Sequence, residues 1–426
     1  MATAVCRAAT AADAATRSDT GMTRPRILLA NEFGAGRGHL VTLRQLARAF
    51  GDGFVFDAAL CRRQHDDIMQ SIGAYIYDGP RLIYRNARRT GPDAVRTSTW
   101  GEFLGDLGFS REARIAEIVA WWRHVIQSRQ IAMVIADYAP LALLAARSLN
   151  VPSLATGTGY GLPPWQMTAF PMLRPENNIR LHDEAEMLAH VNRVATRHGL
   201  PPLRGLPEVY RASCTLVRTL PFLDPYRPWR VDGYLPPVTD VGPVVASEGR
   251  EVFLYFSTTE MEDPQVVDAV ARLPLPRRGY LPGAPAGVAA RLASSGMIVE
   301  TAPVPVADIA RRSRLVVNAG QHGILALGLY AGLPQVCLPQ HLEQAWHARA
   351  AETGGVARVI DAQSRSSDAI MATISAVYHD DAMFAQAGQM ARDLRAGLDA
   401  HPDEITARTI APLIAALRGD PADRPS

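Results

Sequence analysis

A histidine and an aspartate of this chain are candidates for a proton acceptor and its carboxylate partner. His39 closes the Gly-rich segment GAGRGH at 34–39, and Asp137 ends the apolar run IAMVIAD at 131–137. A neutral imidazole near pH 7 can take the proton of an attacking hydroxyl, and a carboxylate on its far nitrogen fixes the tautomer. The alternative is structural, with His39 as an ordinary first-turn helix residue and Asp137 as a strand-end cap.

A second set of polar residues surrounds the loop NAGQHG at 318–323. The helix that follows would present unpaired N–H groups and a partial positive charge, which suit a phosphate. Gly320 and Gly323 would let a ligand approach the backbone, although such a bend is also ordinary turn chemistry. Thr258 and Thr259 follow another apolar run and could hydrogen-bond a phosphate oxygen, although hydroxyls are common in turns.

The segment PQHLEQ at 339–344 adds two acceptors to this set. An apolar run ends at its proline, and Glu343 and Gln344 open the next helical window. Their side chains could bind several neighbouring hydroxyls of one ligand. Alternatively, Glu343 only stabilises the positive end of its helix.

Strands and helices must alternate along the chain to position these residues. Apolar runs of strand length alternate with amphipathic helical windows, which predicts parallel βαβ units. Ligands of open parallel sheets bind beyond the C-terminal ends of the strands, where the polar residues above are predicted to lie. The predicted strands are 24–33, 53–60, 131–140, 151–157, 214–220, 251–257, 277–283, 296–303, 314–320, 335–340 and 356–361. The main predicted helices are 39–50, 111–130, 183–198, one from Pro264, 305–312, 323–331, 342–353, 366–378, 381–397 and 402–417.

Length and composition favour two globular domains that bind a small molecule. A chain of 426 residues exceeds one ordinary core. A formal net charge of +2 gives no indication of a nucleic-acid or membrane-surface partner. The four cysteines show no C-x-x-C spacing, which disfavours a zinc site or a disulfide framework and favours a reducing compartment. Without a membrane-length apolar run or a signal-peptide core, we expect a cytoplasmic protein.

The predicted organisation is an α/β fold with two Rossmann-like, doubly wound domains that face a cleft. Residues 1–24 are predicted to be a disordered arm, within which Met22 offers an alternative start. The acceptor-side domain is expected at 25–235 and the donor domain at 251–400. The Pro- and Gly-rich stretch that starts at Leu223 indicates a linker, placed at 236–250.

Residues 315–360 resemble the donor-binding signature of the UDP-glucosyl/glucuronosyltransferase family, which has the GT-B fold and includes bacterial small-molecule glycosyltransferases. The matching features are VVN, the glycine bend, AGLP, PQ, EQ and the final GGVARVI. GRGHL at 36–40 and VIADYAP at 134–140 resemble the segments that carry the family's catalytic His and its Asp. The resemblance therefore implies that His39 and Asp137 form that pair, and that residues 401–426 hold a helix that crosses back to the first domain, followed by a flexible tail.

The family pattern is not complete in the donor loop. The family's phosphate-binding His falls on Ala319 and its Thr on Ile324, while a shift of one residue would place Asn318 at the His position. A diphosphate could still be held by backbone N–H groups, the helix end and Gln321 or His322.

The resemblance implies inverting transfer of a sugar from a UDP- or dTDP-sugar to a hydroxyl of a small acceptor. No cofactor or metal is expected beyond the nucleotide sugar as co-substrate, and no D-x-D sequence is present. Two alternatives remain open. One is a catalytically weak or inactive relative that binds a nucleotide sugar or a partner, and the other is a sugar-nucleotide epimerase or hydrolase of the same fold. The sequence gives no indication of the oligomeric state.

Overall fold

The computed structural model describes residues 24–34, 36–84, 86–89, 94–176, 179–237 and 248–419. All but the last residue of the predicted arm at 1–24, the start at Met22, most of the linker at 236–250 and the tail after 419 lie outside these residues. The chain divides into two compact units. Unit 1 takes the described residues up to Leu235 and those from Asp403 onward, and unit 2 takes the described part of Pro236–Pro402.

The strands of unit 1 form one parallel sheet, because helical crossovers return the chain to the same edge after each strand. Its strands are β1 (Arg26–Asn31), β2 (Val55–Leu60), β3 (Tyr75–Asp78), β4 (Ile131–Asp137), β5 (Ser153–Gly157), β6 (Cys214–Arg218) and β7 (Tyr234–Leu235). Among the described residues the sheet has seven strands in the order β3-β2-β1-β4-β5-β6-β7, and every pair is parallel. The order reverses between β1 and β4, which are therefore the strands beside which a ligand is expected.

Unit 2 repeats this arrangement. Its strands are β8 (Glu251–Tyr255), β9 (Arg277–Tyr280), β10 (Ile298–Glu300), β11 (Ser313–Asn318), β12 (Gln335–Cys337) and β13 (Ala357–Val359). Within the part of the chain that is described, these six strands pair in parallel in the order β10-β9-β8-β11-β12-β13. The reversal lies between β8 and β11. The predicted fold class, α/β with two Rossmann-like doubly wound sheets, is confirmed.

The helices cover both sheets with their apolar faces. In unit 1 they are α1 (Arg37–Phe50), α2 (Asp66–Gln70), α3 (Trp100–Leu104), α4 (Glu112–Ser128), α5 (Pro140–Ser148) and α6 (Glu184–Arg197). In unit 2 they are α7 (Pro264–Arg272), α8 (Ala286–Ser294), α9 (Val306–Arg312), α10 (His322–Ala331), α11 (Leu342–Thr353), α12 (Ser367–Tyr378) and α13 (Asp381–Ala396). The last helix of the described residues, α14 (Pro402–Arg418), buries Ile410 and Leu413 among β1 and α1 side chains of unit 1.

The first part of the Pro-rich stretch after β6, which precedes the linker predicted at 236–250, packs into unit 1. Asp224 is buried and accepts hydrogen bonds from the Arg230 guanidinium at 2.8 Å and from the Tyr234 hydroxyl at 3.0 Å. These bonds hold the chain against unit 1, so that β7 adds to the sheet edge. Among the described residues, Cys61 and Cys337 are buried free thiols. In the described residues, no helix combines the length and the apolarity that crossing a bilayer demands.

Candidate active site

The predicted pair is brought together at the reversal point of the first sheet. His39 lies in the first turn of α1, just after β1, and Asp137 is the last residue of β4. The imidazole Nδ1 lies 3.2 Å from Asp137 Oδ2 and 3.3 Å from Oδ1. The His39 side chain is 21% exposed and that of Asp137 is 2% exposed. A buried carboxylate therefore engages Nδ1, and the tautomer with its proton on Nδ1 makes Nε2 the basic nitrogen of the ring.

The backbone around the pair fixes both side chains. Asn31 donates from Nδ2 to the backbone oxygen of Asp137 at 3.1 Å, which ties the ends of β1 and β4 together. Gly34 has φ +101°, and a Cβ there would lie 2.7 Å from His39 Nε2. The absence of a side chain at Gly34 thus lets the imidazole occupy its position. Neither Asn31 nor Gly34 was predicted as a site residue, although Asn31 ends β1 and Gly34 lies between β1 and His39.

Aromatic rings from separate segments line one side of the imidazole. The Tyr138 ring lies 4.5 Å from the His39 ring and stacks on Phe33 at 4.5 Å between centroids. Trp100 lies 5.8 Å from Tyr138 and packs edge-on against Tyr160 at 5.3 Å. Such rings keep the imidazole orientation fixed and present an apolar surface beside it. This cluster was not predicted, because its members come from separate segments of the chain.

Another buried carboxyl group lies in the segment between β1 and His39. Glu32 follows β1, is fully buried, and accepts hydrogen bonds from the N–H groups of Ala142 at 2.7 Å and Leu141 at 3.3 Å. It therefore satisfies N–H groups in the first turn of α5. Burial raises the pKa of Glu32 from 4.5 to about 8, against the opposing effect of these two hydrogen bonds.

In unit 2, the loop after β11 is held by its own side chains. Asn318 Oδ1 accepts from the Gly320 N–H at 2.6 Å, and Asn318 Nδ2 donates to Gln335 Oε1 at 2.7 Å. Gly320 has φ +86°, and a Cβ there would lie 2.5 Å from the Gln344 carbonyl oxygen. Close packing against α11 and the positive φ therefore require a glycine at this position. A Cβ at Gly323, in the first turn of α10, would meet nothing within 4 Å.

A carboxylate that sequence analysis missed lies among the predicted phosphate ligands. Glu260 is fully buried, and its Oε2 accepts from the Thr258 N–H at 2.8 Å. Its Oε1 accepts from Thr258 Oγ1 at 2.9 Å and from Gln321 Nε2 at 2.8 Å. The Gln321 Oε1 in turn accepts from the Ala319 N–H at 3.0 Å. The hydroxyl and the amide that the sequence assigned to a phosphate are thus engaged within the protein.

The remaining predicted residues lie around α10 and α11. His322 is buried and its ring lies 5.0 Å from that of His347, whose pKa burial holds well below its ordinary value. Gln344 is buried and accepts from the Gln340 N–H at 2.7 Å through its side chain. Glu343 lies in the first turn of α11, where its charge complements the helix dipole. Among the described residues, no group of three or more His, Cys, Asp or Glu side chains could hold a metal ion.

Comparison with known proteins gives a clear result for the fold. No protein-family model matches the chain, and no curated protein matches it in sequence. Among solved structures, the spinosyn rhamnosyltransferase SpnG has a TM-score of 0.63 at 17% identity, over 92% of this chain and 100% of that one. The calicheamicin glycosyltransferase CalG4 has a TM-score of 0.65 at 16% identity, over 94% and 100%. The glycosyltransferase VinC, solved with dTDP, has a TM-score of 0.60 at 17% identity, over 92% and 100%.

These identities establish similarity of fold. Over nearly the whole of its length, the chain is similar to glycosyltransferases of the GT-B fold.

Proposed function

We propose that this protein is an inverting glycosyltransferase that moves a sugar from a nucleotide-diphosphate donor to a hydroxyl of a small acceptor. The observation that carries the proposal is the contact of His39 Nδ1 with the buried Asp137 carboxylate, at 3.2 Å, at the reversal point of a parallel sheet. A cap or a surface histidine would not require a buried carboxylate on its inner nitrogen.

The proposed step follows from this geometry. The acceptor O–H gives its proton to His39 Nε2 as the oxygen attacks the anomeric carbon. The bond from that carbon to the diphosphate breaks, and the diphosphate leaves with the electron pair. Asp137 stabilises the imidazolium that forms, and one direct displacement inverts the anomeric centre.

On the donor side, the first turn of α10 is the proposed site of the diphosphate. The N–H groups of Gly323 and Ile324 belong to that turn, where a helix has no internal acceptors and carries partial positive charge. The donor is proposed to be a dTDP- or UDP-sugar, because two glycosyltransferases of similar fold were solved with thymidine diphosphate and the sequence resemblance implies a UDP-sugar as the alternative. The acceptor is proposed to be an aglycone, since SpnG has also been solved with the spinosyn aglycone. We include no metal or other cofactor in this proposal.

The test is product formation by wild type and by His39→Gln, with several dTDP- and UDP-sugars and a panel of hydroxylated acceptors, followed by mass spectrometry. We expect a glycosylated product from the wild type and a loss of about 100-fold or more in the variant. Equal product in both would refute the role of His39. Sugar release without any acceptor would indicate a hydrolase or epimerase instead.

A second candidate function is a GT-B relative that binds a nucleotide sugar or a partner without turnover. Two observations favour it: Ala319 stands where the family pattern has a phosphate-binding His, and Glu260 places a carboxylate among the expected phosphate donors. Binding of a nucleotide sugar by calorimetry, with no product on any acceptor and no difference between wild type and His39→Gln, would support this candidate.

A further inference from the structure

The loops that follow β8 and β11 share one carboxylate. Glu260 begins the short helical turn Glu260–Glu262 and is fully buried. Its oxygens accept from the Thr258 N–H at 2.8 Å, the Thr258 hydroxyl at 2.9 Å and the Gln321 amide at 2.8 Å. Two loops on either side of the sheet's reversal point therefore converge on an anion that belongs to the protein.

Those donors are the kind that a diphosphate would use. A backbone N–H, a hydroxyl and a side-chain amide, next to the first turn of a helix, form a typical anion-binding arrangement. Here the carboxylate of Glu260 receives all three hydrogen bonds. The Ala319 N–H donates to Gln321 Oε1, so Gln321 is held at both ends of its amide group.

A negatively charged ligand at this loop must therefore compete with Glu260 in two ways. It would need donors that are already used, and it would bring negative charge close to a buried carboxylate. Arg365 interacts electrostatically with Glu260, but it is also paired with Asp263 at 3.7 Å and donates to the Pro339 oxygen at 2.7 Å. Its charge is thus shared with another acid.

We propose that Glu260 is a specificity-determining residue that occupies the anion position between Thr258 and Gln321 and lowers the affinity of this loop for nucleoside diphosphates. The proposal rests on the function proposed above. A diphosphate gains the Thr258 and Gln321 hydrogen bonds only when the Glu260 carboxylate is displaced or removed.

The test compares Glu260→Gln with Glu262→Gln by isothermal titration calorimetry. The second variant removes the same charge from an exposed side chain on the same turn, and so controls for net charge. The ligands are dTDP, UDP and inorganic pyrophosphate, with thymidine and uridine as uncharged controls. We expect Glu260→Gln to bind the diphosphates about ten- to a hundredfold more tightly than wild type, because one close like charge is removed. Glu262→Gln should stay within about twofold of wild type, and nucleoside binding should not change.

The outcomes separate this inference from the proposed function. Diphosphate affinities of wild type and Glu260→Gln within twofold would overturn the inference and leave the proposed function standing. An equal gain for thymidine and dTDP would also overturn it, because the effect would not depend on charge. If neither protein bound any diphosphate while still folded, both the inference and the donor site would be refuted.

A second variant keeps the inference testable if the glutamine substitution perturbs folding. Glu260→Ala leaves the Thr258 and Gln321 donors without their acceptor. Formate, a carboxylate of similar size to the lost group, should then raise the melting temperature of Glu260→Ala more than that of wild type or Glu262→Gln. An equal response to formate in all three proteins would show that no anion position exists there, and would overturn the inference.

Discussion

The contact of His39 with Asp137 leads to a quantitative prediction for Asp137→Asn. The carboxylate is 2% exposed and its Oδ2 lies 3.2 Å from Nδ1, so the charge centres of the reacting pair are about 4 Å apart. At an effective dielectric constant of about 20, a pair at that distance contributes about 4 kcal/mol to the charged state. An asparagine keeps the size of the side chain but removes this stabilisation of the imidazolium. We therefore expect kcat to fall about 10³-fold.

The assay is initial-rate product formation with a donor and acceptor on which the wild type is active. Asp57→Asn is the matched control, since Asp57 is also a fully buried aspartate of the same sheet but is paired with Arg26 and Arg129. It should lower the melting temperature and leave kcat within about threefold. The double variant His39→Gln with Asp137→Asn should be no slower than His39→Gln alone, because both changes remove the same function, proton acceptance by His39. Independent, multiplying effects would refute the pairing.

Three further predictions follow from the glycines and the buried glutamate. Gly34→Ala places a Cβ 2.7 Å from His39 Nε2 at a residue with φ +101°, so we expect activity to fall about 100-fold in the rate assay. Gly38→Ala is the control, because a Cβ there meets nothing within 4 Å, and its activity should equal that of the wild type. Gly320→Ala places a Cβ 2.5 Å from a carbonyl oxygen at a residue with φ +86°, so the free energy of unfolding in denaturant titration should fall by about 2 to 4 kcal/mol. Gly323→Ala should unfold with nearly the wild-type free energy. Equal stability of the two variants would contradict the packing role of Gly320. The pKa of Glu32 is about 8 in the folded chain against 4.5 ordinarily, so the folded state binds more protons between these values and stability falls as pH rises through them. Glu32→Gln should therefore gain about 3 kcal/mol relative to wild type on going from pH 5.5 to 8.5 in urea unfolding, and a constant difference would refute the shift.

Much of the first site could be predicted because it depends on few elements. The apolar runs at β1 and β4 are easily recognised in the sequence; β4 ends at Asp137, and the Gly-rich segment after β1 ends at His39. Parallel strands place their carboxyl ends at one edge, so His39 and Asp137 could be expected to meet once β1 and β4 were adjacent. The aromatic rings beside them come from four separate segments. Their meeting depends on loop conformations that sequence periodicity does not indicate.

The second site shows a different limit. The sequence identified Thr258, Gln321 and the helix start as hydrogen-bond donors. Residue types and their spacing do not tell whether these donors bind a ligand or another side chain. Glu260 follows Thr258 by two residues, and only the turn between them brings its carboxylate back onto the Thr258 N–H. The Pro-rich stretch after β6 is similar. Its composition indicates a linker, whereas the buried Asp224 holds it against the sheet.

The position of α14 has a consequence for synthesis of the chain. Ile410 and Leu413 belong to the same buried cluster as Ile27 and Leu43, so residues nearly four hundred positions apart share one core. During synthesis, all of unit 2 leaves the ribosome before this helix does. Until then unit 1 cannot complete its core, and the apolar residues that α14 covers stay exposed. Contacts between residues so far apart in the sequence slow folding and prolong the lifetime of aggregation-prone intermediates. The growing chain is therefore expected to rely on chaperones until its final helix has docked.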